Sequence, residues 1–229
     1  MISVLDVRKK FGAVTALDGV SLTIDKGDRV AFVGTNGSGK TTLLRALLGL
    51  VRVEGKITIL GADVAREPEV ALRSVAYIPQ IAPPLDAPVA EVVRAHAALR
   101  RSSDEAIYAH ARRLGLDPDA CRNKRFRELS GGMKQKLLAA TALAADAPIL
   151  VCDEPTANLD GEARAAFFEL LAERPPTSVV VLCSHRLDEV RLLVGRVVEM
   201  RDGRVARDVP LDELSAVRAT ESLLRRVPA

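Results

Sequence analysis

The chain has 229 residues, long enough for one large domain or for two lobes that share a core. With 48% apolar and 28% charged residues it has the balance of a folded globular protein, which excludes a disordered chain. The formal charge is only +3, and Arg and Lys are interleaved with Asp and Glu without an aromatic-flanked basic block, which argues against nucleic acid or an acidic substrate as partner.

In chain order, residues 3–7 and 20–24 read as strands separated by a turn at Gly12, and Lys26-Gly27-Asp28 is a tight turn before the apolar run 29–33. A Gly-rich loop follows. Residues 41–50 then carry Leu43, Leu44, Leu47 and Leu48 at the spacing of a half-buried helix that ends at Gly49. Strand, glycine loop and helix in that order make a phosphate-binding βα unit. Further strands are expected at 56–60 and 75–78, after which Pro79, Pro83, Pro84 and Pro88 punctuate a loop. From about Val89 to Ala145 the pattern is helical, broken at Gly115, at Asp117-Pro118 and at Ser130-Gly131-Gly132, and this stretch is the candidate second lobe. Residues 149–152 and 179–183 are short continuous apolar runs, each followed by a helical segment, as expected for central strands of a parallel sheet covered on both faces. Strands at 197–200 and 204–206 flank the hairpin signal Asp202-Gly203, and 211–227 reads as a short terminal helix.

No apolar stretch reaches the roughly 18 residues that a membrane span needs. Met1-Ile2-Ser3-Val4 runs straight into a strand pattern with no charged and then apolar leader, so the expectation is a cytosolic chain. Cys121, Cys152 and Cys183 are far apart, and the last two sit within runs of Val, Ile and Leu, where a thiol behaves as a small buried hydrophobe.

Gly34-Thr35-Asn36-Gly37-Ser38-Gly39-Lys40-Thr41 has the spacing G-x-x-x-x-G-K-[ST] between a strand and a helix, the context that pattern requires. Glycines let successive N–H groups turn inward toward phosphate oxygens, and the positive end of the next helix adds a partial charge. Lys40 brings a full charge to the β- and γ-phosphates, the Thr41 hydroxyl can hold Mg²⁺, and Thr42 is placed to reach the α-phosphate. The run 149–152 ends in Asp153-Glu154, at the sheet edge where ligands of open α/β folds sit and on the same edge as the loop. Alone, such a pair is also what a solvated turn carries. Beside the loop, Asp153 is expected next to Mg²⁺ and Glu154 toward the attacking water, as general base or as the group that orients it.

Leu129-Ser130-Gly131-Gly132-Met133-Lys134-Gln135-Lys136 alone is a helix start with Ser130 as N-cap. Together with Gln80, Asp153-Glu154-Pro155, Asn158-Leu159-Asp160 and Ser184-His185 in this order, it makes the chain resemble the nucleotide-binding subunits of ABC transporters over about residues 1–207. The resemblance implies an α/β fold: a P-loop NTPase core with a mostly parallel sheet, an N-terminal antiparallel β subdomain and an inserted α-helical subdomain. It divides the chain into 1–80 and 146–207 for the core with its β subdomain, 81–145 for the helical part and 208–229 for a short tail. It implies ATP and Mg²⁺ as cofactors, with Thr41, Gln80 and Asp153 at the metal and Glu154, His185, Lys40 and Gln80 in catalysis. Phe11 lies where the family stacks an aromatic ring on adenine. Ser130, Gly131 and Gly132 match the signature that binds the nucleotide held by the opposite subunit, Asp160 matches a loop that crosses the dimer interface, and His185 matches a γ-phosphate contact.

Two departures stand out. Thr35 replaces the usual Pro, which frees the first turn of the loop slightly, and Met133 replaces a common Gln, which removes a polar contact toward the ribose. The implied partners are a second copy of the chain and separately encoded integral membrane subunits that choose the cargo, with the chain peripheral on the inner face of the cell membrane. The stretch 81–93 is the expected docking region, although Val89, Val92 and Val93 could equally pack inside the helical lobe. The alternative within the same family is a soluble ATPase acting on DNA or ribosomes, which usually carries two modules or a long coiled-coil insertion.

Overall fold

The computed structural model describes residues 1–184, 191 and 193–213. Among these, the strands form two sheets. The first is antiparallel, with order β2-β1-β4-β5, built from β1 (Ile2–Phe11), β2 (Val14–Ile24), β4 (Glu54–Ile59) and β5 (Ala62–Asp63). The second has order β10-β9-β3-β8-β7-β6, from β3 (Arg29–Val33), β6 (Val75–Ile78), β7 (Ile149–Asp153), β8 (Val179–Cys183), β9 (Arg196–Arg201) and β10 (Arg204–Pro210). Its first five strands from the β6 side are parallel, and β10 returns antiparallel on the margin through Asp202 (φ 50°) and Gly203 (φ 75°), two left-handed residues as a type I′ hairpin requires.

Each strand of the large sheet divides its side chains between two cores. Ala31, Val33, Leu150, Cys152, Val180 and Leu182 face one core, while Val30, Phe32, Ile149, Val151, Val179 and Val181 face the other. Burial on both faces is why these strands read as unbroken apolar runs. The second core lies between the sheets and takes up α1 (Lys40–Leu47) through Leu43, Leu44 and Leu47, each contributing about 1.5–3 kcal/mol by burial. Helix α1 stops where the glycine predicts: Gly49 is left-handed (φ 67°), its N–H donates to Ala46 O at 3.0 Å, and Leu50 N–H donates to Arg45 O at 2.8 Å, a Schellman cap.

The other core carries α3 (Val89–Leu99), α4 (Asp104–Arg113), α5 (Pro118–Cys121), α6 (Gly131–Leu143) and α7 (Gly161–Ala172), while the short α2 (Pro68–Leu72) precedes β6. The expected breaks are present: Gly115 is left-handed (φ 70°), and Asp117 and Ser130 cap α5 and α6 with their side-chain oxygens. A further break at Arg101 (φ 51°), followed by the Ser103 cap of α4, was hidden in an Arg- and Ala-rich stretch. Strands β1 and β2 extend beyond the sequence estimate to meet across Gly12. Their outer portions, with Arg8, Lys9, Lys10 and Thr15, are held by the antiparallel ladder and not by burial. Val89 and Val93 are fully buried and Val92 packs against the same core, so these three belong to the helical lobe. Most of the expected 211–227 helix lies outside the described residues. All three cysteines are buried and free.

Candidate active site

The 34–41 loop joins the end of β3 to the start of α1 at the sheet edge where the parallel strands β6, β7 and β8 also end. Close approaches require glycine at two of its positions. A Cβ on Gly34 (φ 146°) would stand 2.3 Å from the Met200 carbonyl oxygen, and one on Gly39 (φ 103°) 2.5 Å from that of Ala16. Within the loop Ser38 N–H donates to Thr35 O at 3.2 Å, and Gly203 N–H at the β9–β10 turn donates to Ser38 O at 3.2 Å. Gly39 supplies no side-chain cap and the first turn of α1, which carries half-buried Thr41 and Thr42, has no acidic residue, so its N–H groups stay available to an anion.

Lys40 is buried, and its ammonium donates to Gly34 O at 2.8 Å, Thr35 O at 2.9 Å and Ser38 Oγ at 3.4 Å. All three acceptors are neutral, so a full positive charge is held within the loop. Asp153 ends β7 and is 2% exposed, and its Oδ1 has no hydrogen-bond partner. Desolvation raises its pKa, helped by the charge of Glu154, while a hydrogen bond with Cys183 and the charges of Arg45 and Lys40 pull the other way. A buried carboxylate oxygen without a donor, one residue from Glu154 and within the field of Lys40, fits a hard divalent cation that takes few protein ligands and completes its shell with phosphate and water.

Glu154 has a left-handed backbone (φ 47°), and its N–H donates to Cys183 O at 2.9 Å. The two carboxylates therefore part company through a turn at Glu154, not through plain strand alternation. That conformation costs a non-glycine residue about 1–2 kcal/mol, a strain that clusters at functional sites. A cavity of about 680 Å³ gathers Gly34, Thr35, Asn36, Gln80, Glu154 and Ser184. Gln80 is half-buried, two residues past the end of β6.

Other expected residues stand outside that cavity. Phe11 is 51% exposed at the tip of β1, with the Lys9 ammonium 5.0 Å from its ring centroid. Ser130 is exposed as the cap of α6, its Oγ accepting from Met133 N–H at 3.2 Å; Gly131 is exposed and Gly132 half-buried beside it. Asp160 caps α7 through Oδ1, which accepts from Ala163 N–H at 2.8 Å, and its Oδ2 pairs with Lys136 at 2.7 Å, which holds its pKa below the usual value. His185 lies outside the described residues. Sequence reasoning passed over Gln135, 2% exposed, whose Nε2 donates to Pro79 O at 3.4 Å and Pro155 O at 3.1 Å. The available signal was a polar residue on the apolar face of α6 that it shares with Ala139 and Ala142.

Residues 17–157 match the family model described as ABC transporter. The chain is 34% identical over 217 residues to the aliphatic sulfonates import ATP-binding protein SsuB 1 of Pseudomonas syringae pv. tomato, covering 92% of this chain and 74% of that one. It is 35% identical over 213 residues to Nod factor export ATP-binding protein I of a Rhizobium species, covering 89% and 68%. Among solved structures it is similar to a dimeric, post-hydrolysis ATP-binding cassette bound to ADP and Pi, with a TM-score of 0.79 at 25% identity, covering 92% of this chain and 99% of that one.

Proposed function

Since the chain belongs to the ABC transporter family, we propose that it is a transporter's motor subunit, which pairs with a second copy across two Mg-ATP molecules and drives separate membrane subunits. It is an ATPase. The observation that carries the reading is the 34–41 loop, with the Lys40 charge held inside it, opening on a cavity shared with Gln80 and Glu154.

The roles rest on the chemistry at each position together with the family resemblance. The loop N–H groups and Lys40 bind the β- and γ-phosphates, Thr42 reaches the α-phosphate, and Phe11 offers its ring to adenine. Thr41, Gln80 and Asp153 would hold Mg²⁺, which when bound neutralises charge on the phosphates. Glu154 orients and deprotonates the attacking water, and Lys40, Gln80 and His185 hold the γ-phosphate and that water in line. Ser130, Gly131, Gly132 and Asp160 serve the nucleotide of the other copy. Their place outside this chain's own cavity, with Ser130 exposed on a helix start, supports that assignment. ATP makes more contacts in the paired state than in the open one, so its binding shifts the equilibrium toward pairing and its hydrolysis releases it.

No helix among the described residues is long and apolar enough to cross a membrane, in keeping with membrane subunits on other chains. Within the expected 81–93 docking stretch, the 77% exposure of Ile81 supports the 81–88 loop as the docking surface, which would hold the protein peripherally on the inner face of the membrane. The test is Glu154→Gln. It should still bind ATP, accumulate as a dimer by size exclusion with Mg-ATP, and release phosphate about 10²–10³-fold more slowly. Normal turnover in this variant removes Glu154 from its role.

A further inference from the structure

Gln135 has no part in the roles above, yet it is the buried polar side chain that spans most of the site's framework. It sits in the second turn of α6, and its amide nitrogen gives one proton to Pro79 O and the other to Pro155 O. Pro79 follows β6 and precedes Gln80, while Pro155 follows Glu154. Strands β6 and β7 are parallel neighbours with Ile78 opposite Cys152, so a single NH₂ group bridges the two strand exits that present Gln80 and Glu154. The next residue, Lys136, holds Asp160 at the start of α7. Ser130, the cap of α6, lies about 7.5 Å along the axis from Gln135 at 1.5 Å per residue.

Packing alone would be met by a Leu or Met, which require no partner, whereas a buried amide is tolerated only when its donors are satisfied. Here both donors are spent on carbonyls adjacent to site residues. We propose that Gln135 is a positioning residue that joins two half-sites: it ties the Ser130 end of α6, which completes the site of the other copy, to the strand ends carrying Gln80 and Glu154 in its own. This rests on the paired-copy reading given above. A small shift of Gln80 or Glu154 on nucleotide binding reaches Ser130 through a contiguous path of one amide and one rigid helical turn. Loosening that tie misplaces the donors of the neighbouring site, and misplacement on the order of 1 Å can cost about 10²-fold in rate.

The experiment uses Gln135→Met, which keeps the volume without donors, and Gln135→Glu, which keeps the shape but turns lone pairs on the two carbonyls. Each is made alone and in the Glu154→Gln background. The readouts are monomer affinity for a fluorescent ATP analogue, thermal melting, kcat, KM and the Hill coefficient, and Mg-ATP-dependent dimer by size exclusion. The expected result is monomer nucleotide affinity within about twofold of the parent, kcat lower by about tenfold or more, and a Hill coefficient falling toward one. Dimer formation in the double variant should also weaken. If Gln135→Met melts more than roughly 10 °C below the parent, Gln135→Glu carries the test. Unchanged kcat, cooperativity and dimerisation overturn the inference, as does a kcat loss matched by an equal loss of monomer nucleotide affinity. Failure of Glu154→Gln itself to pair overturns the paired-copy reading and this inference with it, whereas pairing, kcat and cooperativity that the Gln135 variants all leave intact overturn the inference alone.

Discussion

Replacing Asp153 with Asn separates what the proposed metal site costs from what it supplies. The wild-type carboxylate is buried, has one oxygen without a donor, and has its pKa raised chiefly by desolvation. A buried acceptor without a donor costs about 1–3 kcal/mol and more when it is charged; Asn keeps the shape and an acceptor but removes the charge, so the nucleotide-free variant should be more stable by about 1–2 kcal/mol. For a chain of this size that raises the melting temperature by roughly 2–8 °C. The pH dependence has a definite sign. Because the folded pKa is raised, the ionised form is penalised in full above that pKa; as pH falls through it the folded carboxyl takes up a proton and the penalty fades, down to the ordinary value of 3.8. The advantage of Asp153→Asn should therefore shrink on acidification. With Mg-ATP the order should reverse, since ligand at 100 times its Kd stabilises the wild type by about 2.7 kcal/mol and the variant by less. Melting curves at pH 5 and pH 8, with EDTA or with Mg-ATP, measure all of this. A metal-free variant that melts below the wild type at pH 8 refutes the reasoning, because Asp153 would then be a partnered structural charge.

Gly39→Ala combines a left-handed backbone with a Cβ 2.5 Å from the Ala16 carbonyl and should lose about 2 kcal/mol or more in urea melts, whereas Gly37→Ala, with φ 81° but open space around its Cβ, should lose about 1 kcal/mol. Val89→Asp places a charge in the core and should destabilise the fold by about 4 kcal/mol or more, while Ile81→Asp on the exposed loop should leave melting unchanged and abolish co-purification with a membrane subunit. The thiols of Cys121, Cys152 and Cys183 are buried, and burial raises their pKa, so none should react with a chromogenic disulfide at pH 8 until the protein is denatured, when all three should.

The phosphate loop was legible because its chemistry demands particular residues in succession: glycine where a side chain would collide with Met200 or Ala16, and lysine at the helix start. The central strands were legible because burial on both faces leaves no polar position in runs such as 149–152. Strand length in the antiparallel sheet was not, since Arg8 to Lys10 and Thr15 are placed by ladder bonds that composition does not signal. Val89 could not be assigned from pattern alone, because a valine beside a proline-rich loop suits a core as well as a docking surface. The partners of Gln135 were not legible for another reason: they are main-chain carbonyls 56 and 20 residues away in the chain. Ser130 and Asp160 drew their roles from resemblance, as no single copy brings them into the loop's cavity.

Strand β10 bears on how two copies can meet. Its seven residues carry Arg204, Arg207 and Asp208, slip register between Val205 and Arg207, and finish on Pro210. Charge, a bulge and a proline each discourage the addition of a foreign strand. The β10 margin of the sheet is thereby closed to indiscriminate self-stacking, and under the paired-copy reading proposed above association is left to loops and helix starts, where a small, consumable molecule can decide when it happens and when it ends.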